Sequence, residues 1–266
     1  MPSSDTTSTS RRRRRSAAEP GPIQLFRLFL AERRDPEPFY RALAARTVRE
    51  LPFPISGVRI LDLGSGRGHF TASLREHGAD VVSVDLDADG LLHRVSGVPA
   101  PLIADARTLP FLDGMFGVVL CSNMLEHTPE PEAAISEMAR ILAPGGWLWL
   151  SWTTWYSPWG GHAISPFHYL GPRLGVRVSK RLFGEREVRN LPFEGLWPTH
   201  IGQVLRIVRA TPELDLVDVR PRYYPSQRWI MKIPGLREVA AWNCLLLLRK
   251  RHDVWIVVES ADPPPA

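Results

Sequence analysis

The sequence of 266 residues predicts an α/β domain with a Rossmann-like, doubly wound sheet of seven mostly parallel strands. Short apolar runs alternate with helical segments, which favours parallel strands joined by right-handed crossovers. A glycine-rich turn follows the first apolar run, at residues 64–68, as in folds that bind nucleotides. After the fifth run the alternation stops, and residues 153–198 form a long aperiodic segment, predicted to be a substrate lid inserted at the ligand edge.

The first 22 residues are predicted to be a disordered basic tail, and residues 23–266 to form one domain. The tail is rich in Ser, Thr and Pro around Arg11–Arg15 and lacks the apolar residues of a core. The full chain carries a net charge of +5, which falls to +2 without residues 1–20, so no nucleic-acid partner is predicted. The arginines could hold the protein loosely on an anionic membrane surface, although a solvated tail is the simpler interpretation.

Composition excludes several other classes of protein. The two cysteines, Cys121 and Cys244, lie in apolar runs, so they are predicted to be buried thiols without a disulfide. The eight histidines are scattered, and no acid or cysteine stands near them at metal-ligand spacing, which predicts no bound metal. The apolar run 23–31 is too short to span a bilayer and lacks a cleavage site, so a cytoplasmic location is expected.

The glycine-rich turn is the most informative local pattern. A helix at 37–51 comes first, and then Ile60–Leu63 reads as a strand buried on both faces. Gly64, Gly66 and Gly68 follow, and they let the backbone turn sharply and approach a ligand. The dinucleotide fingerprint would need glycine where His69 stands, so the pattern favours S-adenosylmethionine over NAD or FAD.

Polar residues follow three further strands. The strand 81–84 leads to Asp85, 21 residues after the first glycine, where an acid can accept hydrogen bonds from both ribose hydroxyls. Strand 101–104 ends at Asp105 and Ala106, and strand 118–121 ends at Ser122. In an open α/β fold these ends meet at one edge of the sheet, where ligands bind.

The remaining elements complete the predicted sheet. Apolar periodicity, prolines and the stop signal at 143–146 predict helices near 88–95, 131–142 and 199–209, and strands at 147–152 and 214–219. A helical segment near 236–248 and a last strand at 254–259 are also expected. Periodicity leaves open whether 244–248 is helix or strand, because short apolar runs look alike.

Five ordered motifs give the chain a specific resemblance to a known family. It resembles the class I S-adenosylmethionine-dependent methyltransferases, in particular the type 11 group that includes enzymes methylating ubiquinone and menaquinone. The resemblance covers about residues 55–152. Its motifs are Leu61-Asp62-Leu63-Gly64-Ser65-Gly66-Arg67-Gly68, Val84-Asp85, Asp105-Ala106 with Leu109-Pro110-Phe111, Leu125-Glu126-His127, and Arg140-Ile141-Leu142-Ala143-Pro144-Gly145-Gly146. One position departs from the family: Gly117 follows Phe116 where an aspartate is usual, which puts the local turn in doubt.

The resemblance implies how the cofactor, S-adenosylmethionine, is held. The glycine loop and Asp62 would hold its methionine part and Asp85 its ribose, while Asp105 would reach the adenine amino group. Leu86 would pack on the adenine face. The positions implied for the cofactor are Asp62, Gly64, Ser65, Gly66, Gly68, Asp85, Leu86, Asp105, Ala106 and Ser122.

The acceptor side is less well defined by the sequence. His127 would face the transferred methyl group if the family geometry holds, so it is the candidate general base; the alternative is a helix-start residue bonded to backbone. Glu126 could orient the substrate or cap the following turn. The aromatic residues and histidines of the insertion could stack on an acceptor or pack on the domain. With Glu126, the candidate substrate residues are Trp155, Tyr156, His162, His168 and His200.

These patterns predict a methyltransferase that acts on an oxygen of a small molecule, glycan or lipid precursor. The insertion weakly resembles actinobacterial methyltransferases with cell-envelope sugar or lipid substrates. Two alternatives stay open: a carbon or nitrogen acceptor such as a quinone, and a non-catalytic module that binds S-adenosylmethionine. A nicotinamide oxidoreductase is disfavoured, because the sequence has no Tyr-x-x-x-Lys or comparable pair.

Overall fold

The computed structural model describes residues 21–32, 34–87, 93–184 and 191–252. Four sequence predictions therefore lie wholly or partly outside the described residues: the tail at 1–22, the helix near 88–95, part of the insertion at 185–190 and the strand at 254–259. Among the described residues, no helix has both the length and the apolar character needed to cross a membrane.

Seven strands form one central sheet, and two short strands pair separately. The bounds are β1 Arg59–Leu63, β2 Asp80–Asp85, β3 Leu102–Ile103, β4 Phe116–Ser122, β5 Leu142–Thr153, β6 Leu191–Pro192, β7 Gly195–Leu196, β8 Leu214–Pro221 and β9 Asn243–Lys250. The central sheet has the order β3-β2-β1-β4-β5-β9-β8. Its first five strands are parallel, and β9 runs antiparallel to both of its neighbours. The predicted fold class is confirmed.

Helices cover both faces of this sheet. Their bounds are α1 Pro22–Ala31, α2 Glu37–Arg49, α3 His69–Glu76, α4 Pro131–Ile141, α5 Pro172–Phe183, α6 Ile201–Ala210 and α7 Pro234–Ala240. Leu61 and Leu63 of β1 pack with α4 and α6 on one face, whereas Ile60 packs with α2 and α3 on the other. The central strands β1 and β4 are therefore buried on both sides, as their apolar runs predict, whereas both residues of the edge strand β3 are exposed.

The helical prediction for residues 236–248 is only half right. The helix α7 ends at Ala240, and residues 243–250 form the strand β9 between β5 and β8. Leu245–Leu248 are all buried, because successive side chains of a strand point to opposite faces and both faces here are covered. A run of four leucines therefore fits a central strand, and β9 completes the seven strands without residues 254–259.

The glycine that departs from the family pattern has a packing reason. Gly117 lies inside β4, where the pairing with β5 shifts register between Phe116 and Val118. A Cβ atom at Gly117 would lie 2.9 Å from Cγ1 of Val58, closer than real contacts allow. The neighbouring Val58 thus excludes an aspartate at this position, and the strand forms without it.

The insertion, residues 153–198, has a small core of its own. Trp155, Ile164 and Leu196 are buried together, with Val176 of α5 packed against them. Trp159, also in the insertion, lies outside this core and contacts the N-terminal helix α1. Its ring centroid is 4.8 Å from that of Phe29. The insertion and α1 therefore meet over the body of the domain.

Candidate active site

The glycine loop needs glycine for a steric reason at one position and leaves open space at another. Gly64 has a φ of +74°, and a Cβ there would lie 2.6 Å from Cβ of Met124, so a larger residue would clash. Gly66 has a φ of +51°, and among the described residues no atom lies within 4 Å of the Cβ position. The loop is therefore closed towards Met124 and open at Gly66, where a ligand can approach.

Asp62 is a buried carboxyl group below the loop. Only 1% of the residue is exposed, and the Thr71 hydroxyl donates a hydrogen bond of 2.6 Å to its Oδ2. Burial raises the pKa of Asp62 to about 6, although the bond from Thr71 opposes this. A cationic ligand group above the loop would favour the charged carboxylate, which suits the methionine end of S-adenosylmethionine.

Asp85 holds the loop from the end of β2. Its Oδ2 accepts a hydrogen bond of 2.6 Å from the backbone N–H of Gly66, and its Oδ1 accepts one of 2.9 Å from Asp87. A carboxylate has about four acceptor positions, so capacity is left for ribose hydroxyls. Leu86, the predicted adenine contact, is 67% exposed beside it.

Asp105 lies just beyond β3 and is paired with Arg107. The guanidinium of Arg107 donates to Asp105 Oδ2 at 2.7 Å and also reaches Glu130 at 3.1 Å. These hydrogen bonds hold the pKa of Asp105 below its ordinary value. The carboxylate is therefore charged. Arg107 also donates to it from its backbone N–H and from Nε, so each oxygen already accepts two hydrogen bonds, and an adenine amino group would have to share or displace one of them. Ala106 is half-buried beside it.

A buried arginine below the sheet edge was not predicted from the sequence. Arg222 is only 4% exposed, its guanidinium lies 5.7 Å from the Phe70 ring centroid, and burial lowers its pKa. No sequence signal singled it out, because the chain is rich in arginine. Its Nη atoms donate to Ser122 Oγ at 2.9 Å, Asn123 Oδ1 at 3.1 Å, Ser151 Oγ at 2.9 Å and Thr47 Oγ1 at 3.1 Å. Arg222 thus connects the ends of β4 and β5 to α2 through hydrogen bonds, and the Ser122 hydroxyl already accepts one of these bonds.

Glu126, His127 and His162 come together at the same edge. Glu126 and His127 form a short 3-10 turn after β4, and His162 comes from the insertion. The two imidazole centroids are 5.1 Å apart. Burial and the neighbouring His127 both lower the pKa of His162, so its ring is neutral near pH 7. The predicted base and one predicted substrate residue are therefore neighbours.

The orientation of His127 is set by a backbone carbonyl. Its Nδ1 lies 2.6 Å from the oxygen of Gly195, and a carbonyl only accepts, so Nδ1 carries the proton. In the neutral ring Nε2 then has a free lone pair. Both interpretations of His127 are compatible with this geometry, since its bond to backbone orients the ring for proton transfer.

Glu126 offers one carboxylate oxygen without a partner. The residue is 1% exposed, and its Oε1 accepts a hydrogen bond of 2.9 Å from the backbone N–H of Thr153. Within the described part of the chain, Oε2 is buried and makes no hydrogen bond. Such a group is costly to leave unpaired, so this oxygen points to a missing partner.

The other predicted substrate residues divide into two pairs. Trp155 is 3% and His168 0% exposed, their ring centroids lie 5.5 Å apart, and His168 Nε2 bonds to the Ser157 carbonyl at 3.0 Å. The prediction that Trp155 and His168 contact the acceptor is therefore wrong. Both rings are covered by protein atoms and pack inside the insertion. Tyr156 is 40% exposed, with its ring 5.2 Å from that of His200. This second pair can still meet an acceptor.

Fold and site together define a class of protein. Carboxyl groups stand under a glycine loop, after β2 and after β3, at the edge where an open α/β sheet binds nucleoside cofactors. Beside them lie Glu126, His127 and His162, whose side chains can accept protons. This is the arrangement of a nucleoside-cofactor enzyme of the group-transfer kind, and comparison with known proteins makes the assignment specific.

Residues 61–150 match the type 11 family described as a methyltransferase domain. An uncharacterized methyltransferase of Mycolicibacterium vanbaalenii is 33% identical over 264 residues, covering 94% of this chain and 99% of that protein. One of Mycobacterium tuberculosis is 33% identical over 242 residues, covering 85% and 93%. A Mesorhizobium loti S-adenosylmethionine-dependent methyltransferase structure shares the fold, with a TM-score of 0.55 and 21% identity over 77% of this chain and 96% of that one.

The chain belongs to the class I S-adenosylmethionine-dependent methyltransferases, and its residues 61–150 match the type 11 methyltransferase domain. It is an enzyme with S-adenosylmethionine as its cofactor, as the sequence analysis predicted. The individual cofactor contacts stay predictions, and the open approach at Gly66 with the carboxylates of Asp62 and Asp85 fits that cofactor.

Proposed function

We propose that the enzyme transfers the methyl group to an oxygen of a small molecule, glycan or lipid precursor. The observation that carries this proposal is the orientation of His127, whose Nδ1–H donates to the Gly195 carbonyl, so that Nε2 is the ring atom that can accept a proton, in a residue grouped with the buried Glu126. A hydroxyl is a poor nucleophile until it loses its proton, so an oxygen acceptor gains most from a proton acceptor at this place.

When bound, S-adenosylmethionine supplies a methyl group on a positively charged sulfur, which leaves as a neutral thioether. The acceptor oxygen forms the new bond to the methyl carbon while the carbon–sulfur bond breaks, and its proton passes to Nε2 of His127. Alignment of oxygen and methyl carbon supplies much of the rate, up to roughly 7 to 11 kcal/mol in favourable cases. The exposed Tyr156 and its neighbour His200 would bind the body of the acceptor.

The reacting atom can be identified directly. The enzyme is incubated with methyl-¹³C-labelled S-adenosylmethionine and fractionated cell extract, and the labelled product is examined by NMR. We expect the carbon shift of a methoxy group. A label on nitrogen or carbon would overturn the oxygen proposal and favour the alternative acceptors, and protein that binds the cofactor but labels nothing would support a non-catalytic module.

The role of His127 is tested with the acceptor so identified. His127→Ala should lower kcat by about 10² to 10⁴ while S-adenosylhomocysteine affinity is unchanged, because only proton transfer is lost. The matched control is His77→Ala, since His77 bonds to the Ser73 carbonyl at the far end of α3 and should have no effect. Undiminished turnover in His127→Ala would contradict the base assignment.

A further inference from the structure

We propose that Glu126, His127 and His162 form a binding site for a divalent first-row metal ion such as zinc. One ligand atom of each residue lies within 4.8 Å of the other two. In a tetrahedral zinc site the ligand atoms are about 3.4 Å apart, so a closure of roughly 1 Å would complete the coordination. Two imidazoles and one carboxylate are the protein ligands of many catalytic zinc sites, which keep a position open for water or substrate.

Two independent details support an ion at this place. Glu126 Oε2 is buried and, within the described residues, has no hydrogen-bond partner, while Oε1 is held by Thr153. The second detail is His127, whose Nδ1–H donates to the Gly195 carbonyl at 2.6 Å and so leaves Nε2 free. Metal-ligating histidines characteristically donate their other N–H to a carbonyl or carboxylate in this way.

The sequence prediction of no metal relied on spacing along the chain. His162 is 35 residues beyond His127 and reaches it only because the insertion folds back over the end of β4. His162 itself has a φ of +48°, a left-handed conformation that few non-glycine residues adopt. The group is thus formed by tertiary structure, and the prediction from spacing could not detect it.

This inference rests on the oxygen acceptor of the proposed function, since the ion would act on the same hydroxyl. With the ion bound, it replaces the part of that proposal in which His127 is the base. Bound at the open position, the hydroxyl oxygen would be polarised and would lose its proton more readily, the proton passing to solvent water. His127 would then be a ligand through Nε2, and the acceptor oxygen would still form its bond to the methyl carbon.

The test measures binding of Co²⁺ alone to chelator-treated full-length protein, by calorimetry and visible absorption. We expect one ion per chain, and a loss of affinity of at least about tenfold in His162→Ala and in Glu126→Gln. Glu126→Gln keeps an oxygen to accept the Thr153 N–H, and S-adenosylhomocysteine binding by each variant reports that it is folded. The control His77→Ala should bind Co²⁺ like the parent.

Absence of Co²⁺ binding by the parent, or equal affinity in all variants, would overturn the metal site. Because no acceptor is present in this experiment, that result leaves the proposed function intact, with His127 as the base. Conversely, if the labelled product contains no methoxy group, the number of Co²⁺ ions bound per chain would still be as measured.

A second, independent observation concerns the surface of α5. This helix carries four basic residues, Arg173, Arg177, Lys180 and Arg181, and no acidic residue. Gly175 is the one buried residue of the helix. Leu174 and Leu182 lie on one row of the helix and are 45% and 60% exposed. By contrast, α6 turns five apolar residues into the core.

The apolar surface continues beyond the helix. Leu170 and Phe193 are 53% and 52% exposed, and with Leu174 they line a groove of about 480 Å³. A basic helix with an exposed apolar row is the pattern of helices that lie in the headgroup region of a membrane. We propose that α5 binds an anionic lipid surface, because the positive charges of Arg173, Arg177 and Arg181 complement the headgroups.

Vesicle flotation tests this docking surface. Protein lacking residues 1–20 should float with vesicles containing anionic phosphatidylglycerol and not with pure phosphatidylcholine, so that any contribution of the arginine tail is excluded. The double variant Arg177→Glu/Arg181→Glu should lose the binding, while Arg206→Glu/Arg209→Glu, the same charge change on exposed positions of α6, should retain it. Binding that is unaffected by the α5 change, or lost on deleting residues 1–20, would overturn the proposal.

Discussion

The cofactor edge of the sheet and the insertion are built on different principles. At the edge, most predicted cofactor residues lie in or directly after β1, β2 and β4, whose side chains are largely buried, so these strands fix their positions; Asp105 and Ala106 follow the short, exposed strand β3. The insertion has a core of only a few buried side chains, including Trp155 and Leu196, and it is tied to the domain by contacts such as His127 to Gly195. The first region is specified locally, whereas the second depends on contacts far apart in the chain.

The largest expected effect compares one leucine from each region. Leu150 in β5 is 0% exposed and Leu196 in the insertion is 1% exposed, so the deleted side chain and its burial are matched. Leu150→Ala should lower the free energy of unfolding by about 4 kcal/mol, and Leu196→Ala by about 2 kcal/mol, because a small core can collapse around the lost atoms. Urea unfolding measures both, and equal losses would show that the insertion is as firmly packed as the sheet.

The next effect is electrostatic and is confined to the cofactor edge. The pKa of Asp62 rises from an ordinary 3.8 to about 6 on folding, so the folded chain retains a proton that the unfolded chain releases. Stability should therefore fall as pH rises from 4 to 6 and level off above, with a total loss of about 3 kcal/mol. Asp62→Asn keeps an oxygen for the Thr71 hydroxyl and should remove this dependence.

Urea unfolding of parent and Asp62→Asn at pH 4.5, 5.5 and 7 provides the measurement. We expect the free energy of unfolding of Asp62→Asn, relative to that of the parent, to increase at each step to higher pH. If the difference in free energy of unfolding between Asp62→Asn and the parent changes only as titration of the unfolded chain's own Asp62 near pH 3.8 requires, the pKa of Asp62 is not raised by folding and this prediction is wrong.

The smallest effect tests the cofactor contact that was predicted most directly. Asp85→Ala should weaken S-adenosylhomocysteine binding by roughly 1 to 3 kcal/mol, since ribose hydroxyls would lose their acceptor. The control is Asp80→Ala at the opposite end of the same strand, where the carboxylate pairs with Arg59 on the surface. Calorimetry should find the control unchanged; equal affinity of parent and Asp85→Ala would place the ribose elsewhere.

The contrast between the cofactor edge and the insertion also explains which features can be predicted from the sequence. The positions of Asp62 within β1 and of Asp85 at the end of β2 are predictable, because burial of a parallel strand and the turn after it are local properties. Asp105 follows the short, exposed strand β3. The sequence leaves residues 244–248 open between helix and strand, because forming a strand here depends on having β5 on one side and β8 on the other.

Three features of the site depend on contacts between distant segments. Arg222 bonds to Ser122, which is 100 positions away in the chain. His162 lies beside His127 only because the insertion folds back over the end of β4. Trp155 and His168 illustrate the reverse error, since aromatic composition alone does not distinguish a surface that binds an acceptor from a small core. Residue types indicated the chemistry here, and tertiary structure decided which of them share a site.

The place of β9 in the sheet has a consequence for how the protein is made. This strand, Asn243–Lys250, lies between β5 and β8, both of which leave the ribosome earlier. Until it emerges, β5 and β8 each present an unpaired edge able to join another chain. Nascent chains that stop before residue 243 should therefore be the aggregation-prone species. Protection from hydrogen exchange of the β5 amides that bond to β9 should appear only once residue 250 has cleared the exit tunnel.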